Sequence, residues 1–264
     1  MPKSVPPAVV HLPHASQVIP EDVLGSFVIL SDAVKAELLL MTDRYTDELF
    51  CLPNEIATSI VFPVSRLVVD PERFIEDAQE PMSAKGMGVV YTRTSDGRRL
   101  RKDLPPFLRQ ELLNRYYFPH HRRLSQAVEA ALEKHGNCLV IDGHSFPSKP
   151  LPHEPDQTPK RPGICIGTDE FHTPAWLSEL AVAIFREQGF EVDVNRPFGG
   201  TIVPEPFFQR EPNVFSVMIE VKRSLYMVEQ SGRRLPGFQD FTTVLRNALT
   251  QLIAKATGQG EESA

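Results

Sequence analysis

Apolar residues follow two patterns along this chain, and the patterns predict the elements of its fold. Runs that are apolar or β-branched at nearly every position have the length of buried strands. These runs are 8–13, 138–142, 164–166, 190–194 and 215–221, and a longer one, 58–69, holds one or two strands. Other segments repeat apolar residues every three or four positions, as helices do. They are 31–41, a short helix from Thr42 or Asp43 to Phe50, 106–134 (continuous or broken at Pro119), 174–188 and 237–256.

Strands and helices alternate through the chain, and this order predicts an α/β fold. A continuously apolar strand such as Cys138–Asp142 is typical of a sheet covered by helices on both faces. We therefore expect a three-layer α/β/α sandwich with a largely parallel mixed sheet, built as one domain over residues 1–257. Six prolines between Ser145 and Gly163 predict a long irregular loop, of a kind that often carries function. The last residues, 258–264, are expected to be disordered.

Composition makes nucleic acid and membranes poor candidates as partners. The chain has 264 residues, of which 41% are hydrophobic and 23% charged, and its formal net charge is -6. A negative protein has no overall attraction for phosphate backbones or anionic lipids. The N-terminal residues do not have the pattern of a signal peptide, and no run reaches the ~20 apolar residues that span a bilayer, so a cytoplasmic protein is expected. Cys51, Cys138 and Cys165 are widely spaced and fit buried free thiols in a reducing compartment.

Polar residues that can bind a metal or move protons follow three of the predicted strands. His14 follows the first strand, Asp142 ends the run 138–142 with His144 just beyond it, and Glu220 lies in the last strand. Ligands of open α/β sheets bind at the carboxyl ends of the strands, so these side chains should meet. Two imidazoles and a carboxylate would hold zinc with one position open, as in catalytic sites. Each residue alone also has a structural interpretation: a hydrogen-bonded histidine, or for Glu220 a salt bridge to an arginine.

Seven short motifs in a fixed order extend over residues 10–230, and together they resemble the N-formylglutamate amidohydrolase family. They are Pro13–Ser16, Thr42–Asp43 with Leu49–Phe50, Ser65–Arg73, Phe118–His121, Asp142–Ser145, Asn195–Ile202 and Glu220–Met227. The chain departs from the family's pattern with Ser16 in place of Gly, Pro71-Glu72 in place of Leu-Asn, and His120 in place of Tyr. These departures concern the substrate more than the chemistry.

The resemblance implies a zinc-exopeptidase-like (phosphorylase/hydrolase-like) sandwich with zinc as its cofactor. The implied metal ligands are His14, Asp43 and His144, and Glu220 would act as the general base. Asp47 is the second choice for the carboxylate ligand. On their own, Asp43 also fits a helix N-cap and Asp47 an exposed helical residue.

The carboxylate of an amino-acid substrate calls for arginine in bidentate geometry. Arg66 and Arg73 are the first candidates. One of them would polarise the scissile carbonyl instead, and we assign this catalytic role to Arg66. Arg196 is the next candidate, and for this residue a surface salt bridge is an equally good interpretation. The other residues implied for substrate binding are Asn195, Gly199, Gly200 and His121. Gly199 and Gly200 also fit a tight turn, and His121 also fits a helix cap or a core contact.

The resemblance thus implies a zinc-dependent amidohydrolase that cleaves the amide bond of a small N-acyl amino acid such as N-formylglutamate. Two alternatives stay open: a zinc peptidase acting on a short peptide, and a degenerate relative that binds an acidic small ligand without turnover. A cysteine nucleophile is disfavoured, because Cys138 and Cys165 lie in apolar runs without a glycine elbow. The implied partner is the small-molecule substrate, and the oligomeric state is left open.

Overall fold

A computed structural model describes residues 5–262 of the chain, and six strands form its central sheet. The strands are β1 (Ala8–Leu12), β2 (Thr58–Val61), β3 (Cys138–Phe146), β4 (Ile164–Gly167), β5 (Val192–Val194) and β6 (Val214–Lys222). The helices are α1 (Glu21–Leu24), α2 (Ser31–Met41), α3 (Thr46–Leu49), α4 (Pro106–Leu112), α5 (Phe118–His135), α6 (Ala175–Glu187) and α7 (Phe238–Glu262). Short 3-10 turns span Pro81–Lys85 and Arg223–Leu225, and a small ribbon pairs β7 (Met227–Val228) with β8 (Arg233–Arg234).

The sheet is largely parallel, as predicted, with two strands reversed. Its order is β2–β1–β3–β6–β4–β5. The strands β1, β2, β3 and β6 run in one direction, whereas β4 pairs with β6 in the antiparallel sense and β5 is parallel to β4. The four parallel strands therefore end at one edge of the sheet, and β4 and β5 end towards the opposite edge.

Helices cover both faces of the sheet, which confirms the predicted α/β/α sandwich. Successive residues of a strand point to opposite faces. Val9 and Val140 therefore pack against α5 on one face. Val10 and Ile141 pack on the other face, in the core that α6 and α7 complete. Every residue of β1 and β3 is buried, as the apolar runs predicted.

Among the elements that differ in length from the prediction are β2, α3 and β3. Only Thr58–Val61 of the run 58–69 is a strand, and Pro63, which cannot donate to a sheet ladder, stands just beyond its end. The helix expected from Thr42 or Asp43 to Phe50 is limited to α3. The strand expected to end at Asp142 continues to Phe146, because its parallel register with β6 persists that far.

The long helical segment 106–134 is not broken at Pro119. Pro119 lies in the first turn of α5, the part of a helix that tolerates proline best. A π-helical turn, Leu113–Tyr117, precedes it and joins α5 to α4. Gly136 ends α5 in the left-handed conformation, with φ of 74°, which glycine adopts without strain.

The C-terminal helix reaches further than the apolar pattern predicts. α7 spans Phe238–Glu262 and so enters the segment 258–264, for which disorder is predicted, while residues 263–264 lie outside the described residues. None of the described helices is both long enough and apolar enough to cross a membrane.

Candidate active site

A cavity of about 290 Å³ opens at the edge of the sheet where β1, β3 and β6 end. The two-residue period of a strand places His144 of β3 and Glu220 of β6 on the same face of the sheet, next to each other in register. His14, two residues past the end of β1, joins them. The predicted site residues that line the cavity are His14, Asp43, Arg66, Arg73, His144, Gly199 and Glu220.

The imidazoles of His14 and His144 lie side by side, with ring centroids 5.1 Å apart. The Nε2 atom of His14 is 2.9 Å from Oδ1 of Asp70, and Nε2 of His144 is 3.1 Å from Oδ1 of Asp142. An ionised carboxylate can only accept hydrogen bonds, so each Nε2–H donates. The Nδ1 atoms of the two rings point the other way, and each can bind a metal once any proton on it is released.

Asp43 faces the Nδ1 atoms of both rings. Its backbone N–H donates to the carbonyl of His14 at 3.0 Å, which fixes the two segments together. Its Oδ2 atom lies 3.1 Å from Nδ1 of His144 and 3.7 Å from Nδ1 of His14. Asp47, the other predicted carboxylate, is exposed on α3 and does not line the cavity.

Glu72 is a further carboxylate beside the same rings, and the sequence analysis missed it. Its Oε1 atom lies 3.2 Å from Nε2 of His144, and its Oε2 atom 3.6 Å from Nε2 of His14. One ligand atom from each of His14, Glu72 and His144 lies within 4.8 Å of the others. The one signal in the sequence was its position inside the matched motif Ser65–Arg73, where it stands in place of an asparagine.

The carboxylates around the two rings stabilise positive charge there. Burial opposes a charge on His144, but Glu72 and Asp142 outweigh it and raise the pKa of His144 well above its usual value. Burial also opposes ionisation of Asp43, yet hydrogen bonds from His14 and His144 hold the pKa of Asp43 well below its usual value. Imidazole and carboxylate are the ligand types of catalytic zinc sites, so these residues can hold zinc.

Two residues without a role in the sequence analysis hold this arrangement in place. Arg223 follows β6 directly, and its Nη2–H donates to Oδ1 of Asp43 at 2.9 Å. Asp70 is fully buried and accepts from His14. Arg223 lies three positions after Glu220, at the end of the same apolar strand, which is the signal that could have identified it.

Glu220 is buried in the cavity with an unpaired oxygen. It is 7% exposed, and its Oε2 atom has no hydrogen-bond partner, arginine included, among the described residues. Burial raises the pKa of Glu220 to about 8, against the opposing effect of the nearby His144. A carboxyl group with a pKa close to neutrality is suited to accept and return protons.

The two arginines of the cavity differ in how firmly they are held. The Nε and Nη2 groups of Arg66 donate to the same oxygen of Asp70, at 3.1 and 2.8 Å. The Tyr91 hydroxyl donates to that oxygen as well, at 2.6 Å. The Nε atom of Arg73 has no hydrogen-bond partner in the described part of the chain, and Asp70 lies 3.8 Å from it. Arg66 is therefore fixed, whereas Arg73 has a donor to offer.

Four predicted substrate residues do not line the cavity: Asn195, Arg196, Gly200 and His121. Arg196 is 43% exposed and pairs with Asp193 at 2.7 Å. The Asn195 side chain bonds to Thr168, and His121 bonds to a backbone carbonyl at 2.8 Å. Asn195 and Arg196 follow β5, which ends towards the opposite edge of the sheet, so the structure does not bring them to the two histidines.

The cysteines are not placed as nucleophiles. Cys138 and Cys165 lie in β3 and β4, and burial raises the pKa of each thiol to about 12. A thiol that stays protonated is a poor nucleophile. Cys51 is exposed, so the expectation of three buried thiols is wrong for this residue, and it does not line the cavity.

Comparisons with known proteins point to one family. The family model of N-formylglutamate amidohydrolase matches residues 6–227. The crystal structure of N-formylglutamate amidohydrolase from Ralstonia eutropha JMP134 is similar with a TM-score of 0.84 and 23% identity, over 99% of this chain and 96% of that one. A gene product of Agrobacterium tumefaciens is similar with a TM-score of 0.62 and 20% identity, over 98% and 93% of the two chains. At these identities the structural likeness shows the fold alone. No curated protein sequence matches the chain significantly.

Proposed function

Because the chain belongs to the N-formylglutamate amidohydrolase family, and is thus a hydrolase of amide bonds, we propose that it uses zinc to cleave an N-acyl amino acid. N-Formylglutamate is the first candidate among the substrates. The observation that carries the proposal is the meeting of His14 and His144, whose Nδ1 atoms face Asp43, beside the unpaired carboxyl group of Glu220.

The zinc ligands in this proposal are His14, Asp43 and His144. Each histidine donates its Nε2–H to a carboxylate, His14 to Asp70 and His144 to Glu72, and Asp142 also lies 3.1 Å from Nε2 of His144. Such a partner on the far nitrogen is the usual support of a metal-binding histidine, since it fixes the tautomer and the ring orientation. It supports coordination through the two Nδ1 atoms, which Asp43 faces. Glu72 is the alternative carboxylate, but it lies on the Nε2 side, where both rings would have to give up these hydrogen bonds.

Glu220 is the general base of the proposed reaction. When bound, zinc supplies a Lewis acid that makes water a nucleophile at neutral pH. Glu220 would take the proton of the attacking water and pass it to the nitrogen of the leaving amino acid. The buried, unpaired Oε2 atom and the raised pKa of Glu220 support this role.

Arg66 and Arg73 would bind and polarise the substrate. Asp70 and Tyr91 hold the Arg66 guanidinium rigidly, which suits a group that must point at the scissile carbonyl. The unpaired Nε atom of Arg73 suits a contact with the carboxylate of the amino acid. Gly199 lines the same cavity, where it allows close approach of the backbone.

The size of the cavity supports a small substrate over a peptide. Its volume of about 290 Å³ lies at the lower end of the range for small-molecule sites, ~300–1,000 Å³. The proline-rich loop, residues 147–163, supplies part of its wall through Pro147, Leu151 and His153. A longer peptide would have to displace this loop.

Zinc analysis together with an amine-release assay tests the proposal. Purified protein should contain stoichiometric zinc and release amino acid from N-formylglutamate faster than from N-acetyl or uncharged N-formyl amino acids. His14→Ala and His144→Ala should lose zinc and activity yet remain folded, while Asp47→Asn, on the exposed face of α3, should retain both. A protein without zinc and without turnover of any N-acyl amino acid would contradict the proposal and favour a relative that only binds its ligand.

A further inference from the structure

A buried pair of histidines, His11 and His120, lies behind the candidate site and has no part in the proposed chemistry. His11 is on β1, and His120 is on α5, which covers that face of the sheet. They are 0% and 2% exposed, and neither lines the cavity. Their Nε2 atoms are 2.8 Å apart. Buried imidazoles are costly unless their polar atoms find partners, so the bonds of this pair indicate what it does.

The hydrogen bonds determine which nitrogen of each ring carries the proton. The Nδ1 atom of His11 lies 2.8 Å from Oδ1 of Asp142 and must donate, because the carboxylate can only accept. A neutral His11 then has a bare Nε2, so His120 donates its Nε2–H to it. The Nδ1 atom of His120 remains a bare acceptor, in agreement with its having no partner in the described range 5–262. Donation therefore runs from His120 to His11 to Asp142.

Asp142 connects this pair to the zinc ligand His144. Its Oδ1 atom accepts from His11 and also faces Nε2 of His144 at 3.1 Å, while Oδ2 accepts from the backbone N–H of Ile202 at 3.1 Å. Two hydrogen bonds and the ion pair with His144 thus fix both oxygens of one carboxylate. Glu72 accepts a hydrogen bond from the same Nε2–H of His144 at 3.2 Å, so two carboxylates orient this ring. The orientation of the His144 ring therefore depends on how firmly Asp142 is held.

We propose that His11 and His120 are positioning residues, which hold His144 in its zinc-binding orientation through Asp142. The inference rests on the proposed function, since it takes His144 as a ligand through Nδ1. Without the donor on His11, Asp142 loses one of the contacts that hold it and is free to turn, and Glu72 alone then orients the His144 N–H. Zinc binding must then also restrict the His144 ring, which is already held in place in the wild type. Zinc therefore binds more weakly to the variant. Neither His11 nor His120 touches the metal or the substrate.

Two substitutions of His11 separate the donor from the space that the ring fills. Asparagine keeps an N–H group close to the position of Nδ1, whereas leucine fills the space without one. We expect His11→Leu to weaken zinc binding ~10–100-fold, the usual effect of losing an outer partner of a metal ligand. Chelator competition measures this loss, and the visible spectrum of the cobalt(II)-loaded protein should change with it. His11→Asn should keep a wild-type affinity and spectrum. His120→Gln and His120→Leu repeat the comparison one step further out, with a smaller loss in the leucine variant.

A matched control uses a buried histidine elsewhere in the fold. His172 is 1% exposed, bonds to the carbonyl of Val214 at 2.7 Å, and does not line the cavity. His172→Leu should lower thermal stability as a buried substitution does, yet leave the zinc affinity unchanged.

Three results would overturn the inference. Wild-type zinc affinity in His11→Leu would do so and leave the proposed function intact, and so would equal losses in His11→Asn and His11→Leu. A wild-type protein that binds no zinc would overturn the proposed function and this inference together. If His11→Leu does not fold, the comparison of His120→Leu with His120→Gln decides by the same criterion.

Discussion

At the scale of single residues, the candidate site is governed by a surplus of negative charge. The carboxylates around the two imidazoles are Asp43, Asp70, Glu72, Asp142 and Glu220, and the guanidinium groups are Arg66, Arg73 and Arg223. Arg66 and Arg223 are already bonded to Asp70 and Asp43. Buried charges of one sign are unfavourable unless cations or protons compensate them. The surplus therefore favours a cation between the two rings.

The choice of the carboxylate ligand is tested by Asp43→Asn against Glu72→Gln. Asp43→Asn should weaken zinc binding more, because Asp43 faces the Nδ1 atoms that are proposed to bind the metal, whereas Glu72 faces the Nε2 atoms. Asp47→Asn should have no effect, since Asp47 is exposed on α3. Chelator competition on the folded variants measures the order. A larger loss in Glu72→Gln would place the metal on the Nε2 side.

The role of Glu220 is tested by Glu220→Gln, which keeps the volume and removes the base. Turnover should fall by ~10²–10⁴-fold, the range for general acid–base groups, while zinc content and substrate affinity change little. Steady-state kinetics and metal analysis measure both. A variant that is much less stable but still turns over substrate would show that Glu220 is a structural residue.

The sequence identifies those residues of the site that lie on or directly after apolar strands. His14, His144 and Glu220 could be found in this way because a polar side chain at such a position needs a reason to be there. Asp43 was identified by resemblance alone, since a polar residue after a helix has many uses. Glu72 and Arg223 could not be assigned, because their contacts depend on how loops return to the sheet, and no local periodicity encodes that.

At the scale of secondary-structure elements, strand direction decides which predicted residues meet. An apolar run does not indicate in which direction its strand runs within the sheet. The sequence therefore could not show that β4 and β5 are reversed. The family resemblance implied that Asn195 and Arg196, which follow β5, belong to the site. The reversal explains their absence from the cavity. It also brings loop 147–163, which leads into β4, to the edge where the cavity lies.

The packing around Gly143 of β3 is tested by Gly143→Ala. A Cβ atom at Gly143 would lie 2.7 Å from Cδ2 of Leu12 and 2.9 Å from Cδ1 of Phe50. Both neighbours are fully buried, so we expect a loss of ~1–3 kcal/mol in the free energy of unfolding from overpacking. Gly25→Ala is the matched control, because a Cβ atom there meets nothing within 4 Å and φ is -61°. Denaturant titration of both variants measures the difference in the free energy of unfolding. Equal stability would show that Leu12 and Phe50 move to accommodate the methyl group without destabilising the fold.

At the scale of the whole molecule, removal of zinc should make stability depend on pH through Glu220. Burial raises the pKa of this group in the folded protein from its ordinary 4.5 to about 8. The folded state then binds the proton more tightly than the unfolded state, so stability is greatest below the unfolded pKa and is lost as pH rises through the folded one. Metal-free wild type should lose stability relative to metal-free Glu220→Gln between pH 4.5 and 8, by up to ~1.4 kcal/mol per pH unit. A constant difference across this window would mean that the pKa of Glu220 is not raised.

The same charges predict that zinc binding releases protons. At pH 7 the metal-free protein holds extra protons on His144 and Glu220. Burial opposes the charge on His144, but Glu72 and Asp142 raise its pKa well above its usual value. Burial raises the pKa of Glu220 to about 8. Two protons offset the surplus of five carboxylates over three guanidinium groups, and a divalent ion can take their place. A ligand histidine must give up its extra proton, and the nearby cation lowers the pKa of Glu220.

Calorimetry in buffers of different ionisation enthalpy counts the protons that zinc binding releases. Glu220→Gln should release about one proton fewer than wild type, because any proton lost from solvent is common to both proteins. Equal release would show that Glu220 is ionised before the metal arrives, and its charge would then have to be balanced by the arginines alone.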